Sequence, residues 1–233
     1  MPVFRDLRLL FVHIPKNAGR SIERALLAGA GTPDGGRRSL ANRMAHAAAR
    51  ATRSKFADEY LIGTMDVVVA AQHLTYQEMD LLGLLPAGLV DDPAFEAFCV
   101  CRNPFDRAVS SISHFHPEPE DGPPRTPADF ERLLLAWLDR PLGDHNERAH
   151  RRPQIDYVRD SRGEVVTGCV LRYESLADDF RMLLDRRGRG DIQLPWQGRS
   201  KRERVYQDYF TGDARKAVET AFGDDLDAFG YTY

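Results

Sequence analysis

The chain has no apolar run that approaches the ~20 residues of a membrane-spanning helix. It also lacks a signal-peptide pattern at its start, where Arg5, Asp6 and Arg8 interrupt the apolar residues. We therefore expect no membrane anchor and a cytoplasmic location. The net charge of −3 over 233 residues leaves no basic excess of the kind that indicates a nucleic-acid partner.

Cysteine is scarce, with three residues at Cys99, Cys101 and Cys169. No CxxC pair or paired histidine spacing accompanies them, so the sequence predicts no metal site. All three lie in apolar stretches, and we expect reduced, buried thiols there.

Internal repeats and long linkers are also missing, so residues 1–233 are predicted to form a single domain. Apolar or β-branched runs at 9–14, 67–70, 95–100 and 165–172 read as strands, and helical patterns lie between them. This alternation predicts an α/β fold with a central parallel sheet and three layers.

The first strand leads into a short loop that has the features of an anion site. Pro15 ends the apolar run, and a helix begins near Ser21. Gly19 is expected to take a backbone conformation that other residues avoid. Strand, tight loop and helix direct backbone N–H groups and the positive helix end at an anion, and Lys16, Arg20 and Ser21 add further donors.

The order of residues in this loop differs from that of a Walker A motif. In GxxxxGK[ST] the lysine follows the second glycine, whereas here Lys16 precedes Gly19. This order disfavours a nucleotide kinase, although that class of enzyme stays open as an alternative.

A second strand-to-helix junction carries another candidate anion site. Arg102 ends the strand at 95–100, Asn103 is a plausible helix cap, and Pro104 suits the first helical turn. Arg107 and Ser110 share one face of that helix. Arg102 offers a planar fork for phosphate oxygens, and Ser110 offers a short donor.

His73 follows the short β-branched run at 67–70. Thr75 and Glu78 form a capping-box pattern, which places His73 on the turn between strand and helix. Ligands of open α/β sheets bind at this edge. Because the ordinary pKa of histidine lies near neutrality, His73 is a candidate general base.

The stretch His-Ile-Pro-Lys-Asn-Ala-Gly-Arg-Ser-Ile at 13–22 resembles the 5′-phosphosulfate loop of sulfotransferases that use 3′-phosphoadenosine 5′-phosphosulfate (PAPS). The similarity is to the carbohydrate sulfotransferase branch and its bacterial relatives. Arg-Asn-Pro at 102–104 followed by Ser110 resembles the 3′-phosphate motif of that family. The family usually has Thr in place of Asn17 and often in place of Arg20. The resemblance implies a fold like that of the P-loop nucleotide kinases.

The resemblance implies that this chain transfers the sulfuryl group of PAPS to a hydroxyl group of an acceptor, a carbohydrate, without a metal ion. His73 would be the general base, and Lys16 would stabilise charge on the leaving phosphate. The implied cofactor-binding residues are Lys16, Asn17, Ala18, Gly19, Arg20 and Ser21 at the 5′ end, Arg102 and Ser110 at the 3′-phosphate, and Arg199, Ser200 and Lys201 in a basic covering loop.

Two basic stretches bear on the acceptor. One, at 37–55, is rich in Ala and Arg, and the other contains Arg148, His150, Arg151 and Arg152. Together they favour an anionic acceptor such as an acidic glycan, although the stretch at 37–55 also suits a solvated insertion. The stretch 150–157 resembles an acceptor-side segment of the family, and a structural loop built on Gln154 is equally open. A non-catalytic anion-binding or polysaccharide-binding module with the same fold is the alternative from another class.

Overall fold

The computed structural model describes residues 3–29, 73–81, 85, 92–118, 124–143, 145–195 and 204–233. Its strands are β1 (Val3–Phe4), β2 (Leu9–Val12), β3 (Glu96–Cys101) and β4 (Cys169–Arg172). The α-helices of these residues are α1 (Gly19–Gly29), α2 (Tyr76–Leu81), α3 (Pro104–Phe115), α4 (Pro127–Asp139), α5 (His145–Arg151), α6 (Leu176–Arg186), α7 (Gly212–Ala221) and α8 (Gly223–Phe229).

The strands form one sheet in the order β1-β2-β3-β4. β2, β3 and β4 are parallel, and β1 adds an antiparallel edge. Phe11 lies opposite Phe98, which in turn lies opposite Cys169. The α/β class is confirmed. The strand predicted at 67–70 lies outside the described residues.

Both faces of the sheet are covered, which explains why β2 is apolar at every position. Phe11 packs on one face with residues of α1 and α6, including Leu26 and Phe180. Val12 packs on the other face with Met79 of α2. A sheet with helices against both faces is compatible with a three-layer α/β fold.

A separate apolar cluster supports α3, the helix that follows β3. Phe105 and Val109 of α3 pack with Phe130 and Leu134 of α4 and with Val218 of α7. The Asn103 side chain caps α3 by accepting from the N–H of Phe105 at 3.0 Å, as the sequence predicts. α3 therefore begins at a fixed point next to the end of β3.

The cysteines form no disulfide. Cys99 and Cys101 are buried in β3 and Cys169 is half-buried. Burial raises the pKa of the Cys101 thiol to about 11, so this thiol stays protonated at neutral pH. No helix within the described ranges is both long and apolar enough to cross a membrane.

A buried polar network joins α8, the last helix, to the loop after β2 and to the end of β3. Asp225 of α8 is fully buried and accepts from the N–H of Gln154, the Gln154 amide and the N–H of Ile155 at 2.8, 3.2 and 2.9 Å. Gln154 in turn accepts from Asn17 and from the N–H of Arg102 at 2.7 and 3.0 Å. Gln154 thus has the structural role that the sequence left open, and it joins the loop after β2 to the end of β3.

We expect Asp225→Ala to lower the free energy of unfolding by about 3 kcal/mol, because it leaves buried N–H donors without acceptors. Asp224→Ala is the matched control, since Asp224 is the exposed neighbour in the same helical turn. Urea unfolding followed by circular dichroism measures both. Equal midpoints for the two variants would contradict the structural role of this network.

Candidate functional site

The loop between β2 and α1, residues 13–18, has the strand–loop–helix form that the sequence predicts. Lys16 and Ala18 adopt left-handed backbone conformations, with φ of 69° and 61°. These conformations cost a non-glycine residue roughly 1–2 kcal/mol, so contacts around the loop must hold them. The prediction that Gly19 provides the unusual conformation is wrong, because its φ is not in the left-handed range.

Gly19 is required for close packing instead. A Cβ at this position would lie 1.9 Å from Nε2 of the His13 ring. That ring is buried and its Nδ1 lies 2.7 Å from Oε1 of Glu23, which is also buried. The first turn of α1 therefore passes directly over a ring that has little room to move.

We expect Gly19→Ala to destabilise the protein by about 1–3 kcal/mol, because the ring or the helix start must shift to accept the methyl group. Gly212→Ala is the matched control. Gly212 is likewise the first residue of a helix, and a Cβ there would meet no heavy atom within 4 Å. The expected result is a lower thermal midpoint for Gly19→Ala alone, and a loss of the same size in both variants would refute the packing argument.

Two buried arginines hold the carbonyl groups of the loop from the inside. Arg107 Nε donates to the Pro15 carbonyl at 3.3 Å, and Arg102 Nη1 donates to the Lys16 carbonyl at 2.9 Å. The C=O and N–H of a trans peptide point in opposite directions. The N–H groups of Lys16 and Asn17 therefore point away from these guanidinium groups, which is an arrangement suited to an anion.

The Lys16 side chain is half-buried in a cationic surrounding. Burial, together with the nearby charges of Arg102 and Arg20, lowers the pKa of its ammonium group to about 8. Arg20 is exposed in the first turn of α1, with Ser21 half-buried beside it. Cations gathered in this way repel one another, and a bound anion would relieve that repulsion.

The Asn17 side chain points into the protein. Its amide nitrogen donates to the Val100 carbonyl and to Gln154, both at 2.7 Å, and the residue is only 1% exposed. Any contact of Asn17 with a ligand is therefore through its backbone. The side chain ties the loop to the neighbouring strand β3.

Arg102 is buried and its guanidinium already has protein partners. Nε lies 2.8 Å and Nη2 lies 2.7 Å from Oδ2 of Asp106, and Nη1 binds the Lys16 carbonyl. The guanidinium carbon lies 4.0 Å from the centre of the Tyr173 ring. The structure thus brings the two predicted anion motifs into direct contact through Arg102 and Lys16.

Ser110 is half-buried in the second turn of α3, and the described contacts do not join it to Arg102. Arg107 shares its helix face and has a structural function. Besides the Pro15 carbonyl, it binds the carbonyl groups of Arg152 and Ala149 at 3.0 and 3.4 Å. Arg107 therefore joins the loop to the C-terminal end of α5.

His73 lies beside the start of the loop. Its Nδ1 is 3.2 Å from the His13 carbonyl oxygen. Because a carbonyl oxygen only accepts, Nδ1 must carry the hydrogen, and Nε2 is the proton-accepting atom of the neutral ring. The rings of His73 and His13 are perpendicular, with centroids 4.7 Å apart. This places the candidate base beside the candidate anion loop, residues 13–18.

Two further histidines extend this group. His150 is 5.7 Å from His73 between ring centroids, and His114 stacks on His150 at 5.3 Å. Burial lowers the pKa of His150 to about 3, so its ring is neutral over the physiological range. The stretch 150–157, which resembles an acceptor-side segment, therefore lies next to His73 through His150. The neutral His150 ring adds no positive charge there.

The predicted basic cluster around His150 is largely turned toward backbone carbonyl groups. Arg148 donates to the Gly143 carbonyl at 2.9 Å, and Arg151 donates to the carbonyl groups of Arg140 and Leu138. Arg152 forms a bidentate pair with Glu78 at 2.9 Å for both contacts. The described contacts of these arginines therefore stabilise the local structure.

Sequence reasoning missed the buried pairs that support the site. No spacing rule assigns Glu23 to His13. Asp106 lies four residues after Arg102, the spacing of ion pairs within a helix, but Arg102 precedes α3 and the pair was missed. The predicted cofactor residues Arg199, Ser200 and Lys201 lie outside the described residues, as does the basic stretch at 37–55.

The described residues contain no group of three or more His, Cys, Asp or Glu side chains placed to hold a metal ion. Comparisons of the chain with protein-family models, with characterised proteins and with solved structures found no match.

Proposed function

We propose that this protein transfers the sulfuryl group of PAPS to the hydroxyl group of an acceptor, with a fold of the P-loop nucleotide-kinase type. The observation that carries the proposal is the meeting of three features at one edge of the sheet. The loop of Lys16 follows β2, Arg102 directly follows the neighbouring β3 and bonds to that loop, and His73 bonds to the first residue after β2.

The anion loop suits a phosphosulfate. Its carbonyl groups are held from within by guanidinium groups, its N–H groups at Lys16 and Asn17 point the other way, and α1 adds its N-terminus. Burial, and after it the charges of Arg102 and Arg20, lowers the pKa of Lys16, and a bound anion would offset these effects.

The 3′-phosphate is assigned to Arg102 and Ser110. A guanidinium has five N–H donors, and Arg102 uses three of them in its described contacts with Asp106 and Lys16. In this proposal Arg102 therefore holds the loop through Nη1, binds Asp106 through Nε and Nη2, and offers its two remaining donors to the phosphate. Ser110 supplies a hydroxyl donor from α3.

The reaction is an in-line substitution at sulfur. PAPS supplies the sulfuryl group, the acceptor oxygen forms the new bond to sulfur, and the bond from sulfur to the bridging phosphate oxygen breaks. His73 takes the acceptor proton on Nε2. Lys16 stabilises the negative charge that develops on the departing phosphate, an effect that is larger in the transition state than in the ground state.

The proposal is tested by nucleotide selectivity. A nucleotide kinase needs one anion site, whereas a PAPS enzyme needs a second site for the 3′-phosphate. Calorimetry without magnesium should show that 3′,5′-PAP binds ten- to a hundredfold more tightly than 5′-AMP, since a charge-assisted hydrogen bond contributes roughly 1.5–3 kcal/mol. Equal affinities would refute the proposal, a preference for ATP with magnesium would favour the kinase, and no nucleotide binding would favour a binding module.

Ser110→Ala should weaken PAP binding by about tenfold and leave 5′-AMP binding unchanged, because only PAP carries the 3′-phosphate. Ser111→Ala is the matched control. Ser111 is the adjacent residue, buried, and its Oγ has no hydrogen-bond partner among the described residues. Calorimetry with both nucleotides measures the effect, and a loss of 5′-AMP affinity equal to that of PAP would exclude Ser110 from the 3′-phosphate site.

A further inference from the structure

A polar groove of about 400 Å³ lies against α2 and the segment 152–163. Its volume is in the range of small-molecule sites. The side chains that determine its character are Gln77, Glu78, Arg152, Asp156, Arg159 and Asp160. None of the described residues that line the groove has an aromatic or aliphatic side chain larger than that of threonine.

The groove begins next to the candidate base. Thr75, which lines it, lies two residues after His73 and caps α2 by a reciprocal pair of bonds with Glu78, at 2.7 and 3.0 Å. Its other wall contains Arg152, and the Arg152 carbonyl shares the Arg107 guanidinium with the Pro15 carbonyl of the anion loop. The groove therefore begins two residues along the chain from His73, and Arg107 links its Arg152 to the anion loop.

Some side chains of the groove are held by ion pairs or hydrogen bonds, and others keep donors and acceptors that can bind a ligand. Glu78 and Arg152 neutralise each other through two contacts of 2.9 Å. Asp160 is held by the N–H groups of Arg162 and Glu164. Asp156 and Arg159, in contrast, share one contact of 3.7 Å, which leaves most of their hydrogen-bonding capacity for a ligand.

The charge of the lining is not that of an anion site. The lining holds two guanidinium groups and three carboxylates, and one carboxylate, Asp160, pairs with the Arg162 guanidinium at 3.0 Å, so the described lining has no excess of positive charge. Its carboxylates accept hydrogen bonds and its guanidinium groups donate them, and this combination suits the hydroxyl groups of a saccharide, which do both. The described lining has no aromatic or aliphatic side chain, which disfavours phenols, sterols and lipids.

We propose that this groove binds the acceptor, that the acceptor is a neutral, hydroxyl-rich saccharide, and that Asp156 excludes acidic ones. The inference rests on the proposed sulfuryl transfer. It differs from the acidic glycan that the basic sequence stretch favours, because the arginines of that stretch bind carbonyl groups and Glu78. Asp156 acts on specificity by repelling a carboxylate in the groove.

The test uses maltotriose and cellotriose as neutral probes, together with the same trisaccharides oxidised to uronates at their primary hydroxyl groups. The wild type, supplied with PAPS, should prefer the neutral member of at least one pair by tenfold or more in kcat/KM. Asp156→Asn should reduce that preference about fivefold through KM, since one unit charge near the groove surface is removed. Asp178→Asn removes an exposed charge on α6, outside the groove lining, and should leave the preference unchanged.

A direct binding measurement separates the failure of this inference from that of the proposed function. In the presence of PAP, the Gln77 side-chain amide signal should shift on titration with a neutral trisaccharide. PAP binding with an unmoved Gln77 signal, a preference for the uronates, or a preference that Asp156→Asn leaves unchanged would each overturn the groove inference alone. Absence of PAP binding would overturn the proposed function, and the Gln77 signal would then decide whether the groove binds saccharides on its own.

Discussion

His73→Ala is expected to lower kcat by about 10²–10⁴-fold and to leave the affinity for PAP nearly unchanged. The His73 Nδ1–H donates to the His13 carbonyl, so Nε2 is the atom that can receive the acceptor proton. Alanine removes this base without touching Lys16 or Arg102. The loss should therefore appear in the chemical step and not in nucleotide binding.

His116→Ala is the matched control, because His116 ends α3 and its described hydrogen bonds involve only its backbone. Single-turnover measurements of both variants with saturating PAPS separate the chemical step from product release. Turnover of His73→Ala within threefold of the wild type would remove His73 from the mechanism. A parallel loss of PAP affinity would instead assign it to nucleotide binding.

Lys16→Ala is expected to lower kcat by about 10²–10³-fold, the usual effect of deleting one preorganised group that stabilises developing charge. It should also weaken both PAP and 5′-AMP, since both carry the 5′-phosphate. This pattern contrasts with that of Ser110→Ala, which discriminates between the two nucleotides. Lys216→Ala on the exposed face of α7 is the matched control and should change none of these quantities.

The dependence on pH follows from the lowered pKa of Lys16, which is about 8. Below this pH the ammonium group is charged and binds phosphate, and above it the group loses its proton. PAP affinity of the wild type should therefore fall by up to about tenfold per pH unit above pH 8, and Lys16→Ala should lack this fall. Calorimetry at several pH values measures it, and identical pH profiles for the two proteins would exclude Lys16 from the anion site.

The stability of the unliganded protein should change in the opposite direction. The pKa of Lys16 is about 8 when folded and near 10.5 when unfolded, so the unfolded chain binds more protons between these values. The contribution of Lys16 to stability then rises with pH in this window. A fall in affinity together with a rise in stability would assign both effects to the same ammonium group.

The parts of the fold that depend on local pattern were predictable. The unbroken apolar run of β2 indicated a strand buried on both faces, and Asn103-Pro104 indicated the start of α3, because strand burial and helix capping are encoded within a few neighbouring residues. The capping box of Thr75 and Glu78 was confirmed for the same reason.

The parts that depend on distant residues were not predictable. From the sequence, Gly19 was expected to be needed for its backbone conformation. A sequence shows where a glycine stands, but it does not show which side chain packs against that glycine. The His13 ring explains the requirement, and its position depends on a carboxylate ten residues away. Lys16 and Ala18 hold left-handed conformations that no local rule assigns to such residues.

By itself, the sequence determined the α/β class, the two strand-to-helix junctions and the types of side chain placed at each. Only the tertiary structure decided how these side chains are used. It committed the Asn17 side chain and Arg107 to internal bonds, paired Arg102 with Asp106, and turned the Lys16 carbonyl inward. The physical reason is that most buried polar groups of a folded protein are hydrogen-bonded, and the partner is whichever group the packed chain brings within about 3 Å, at any separation in sequence.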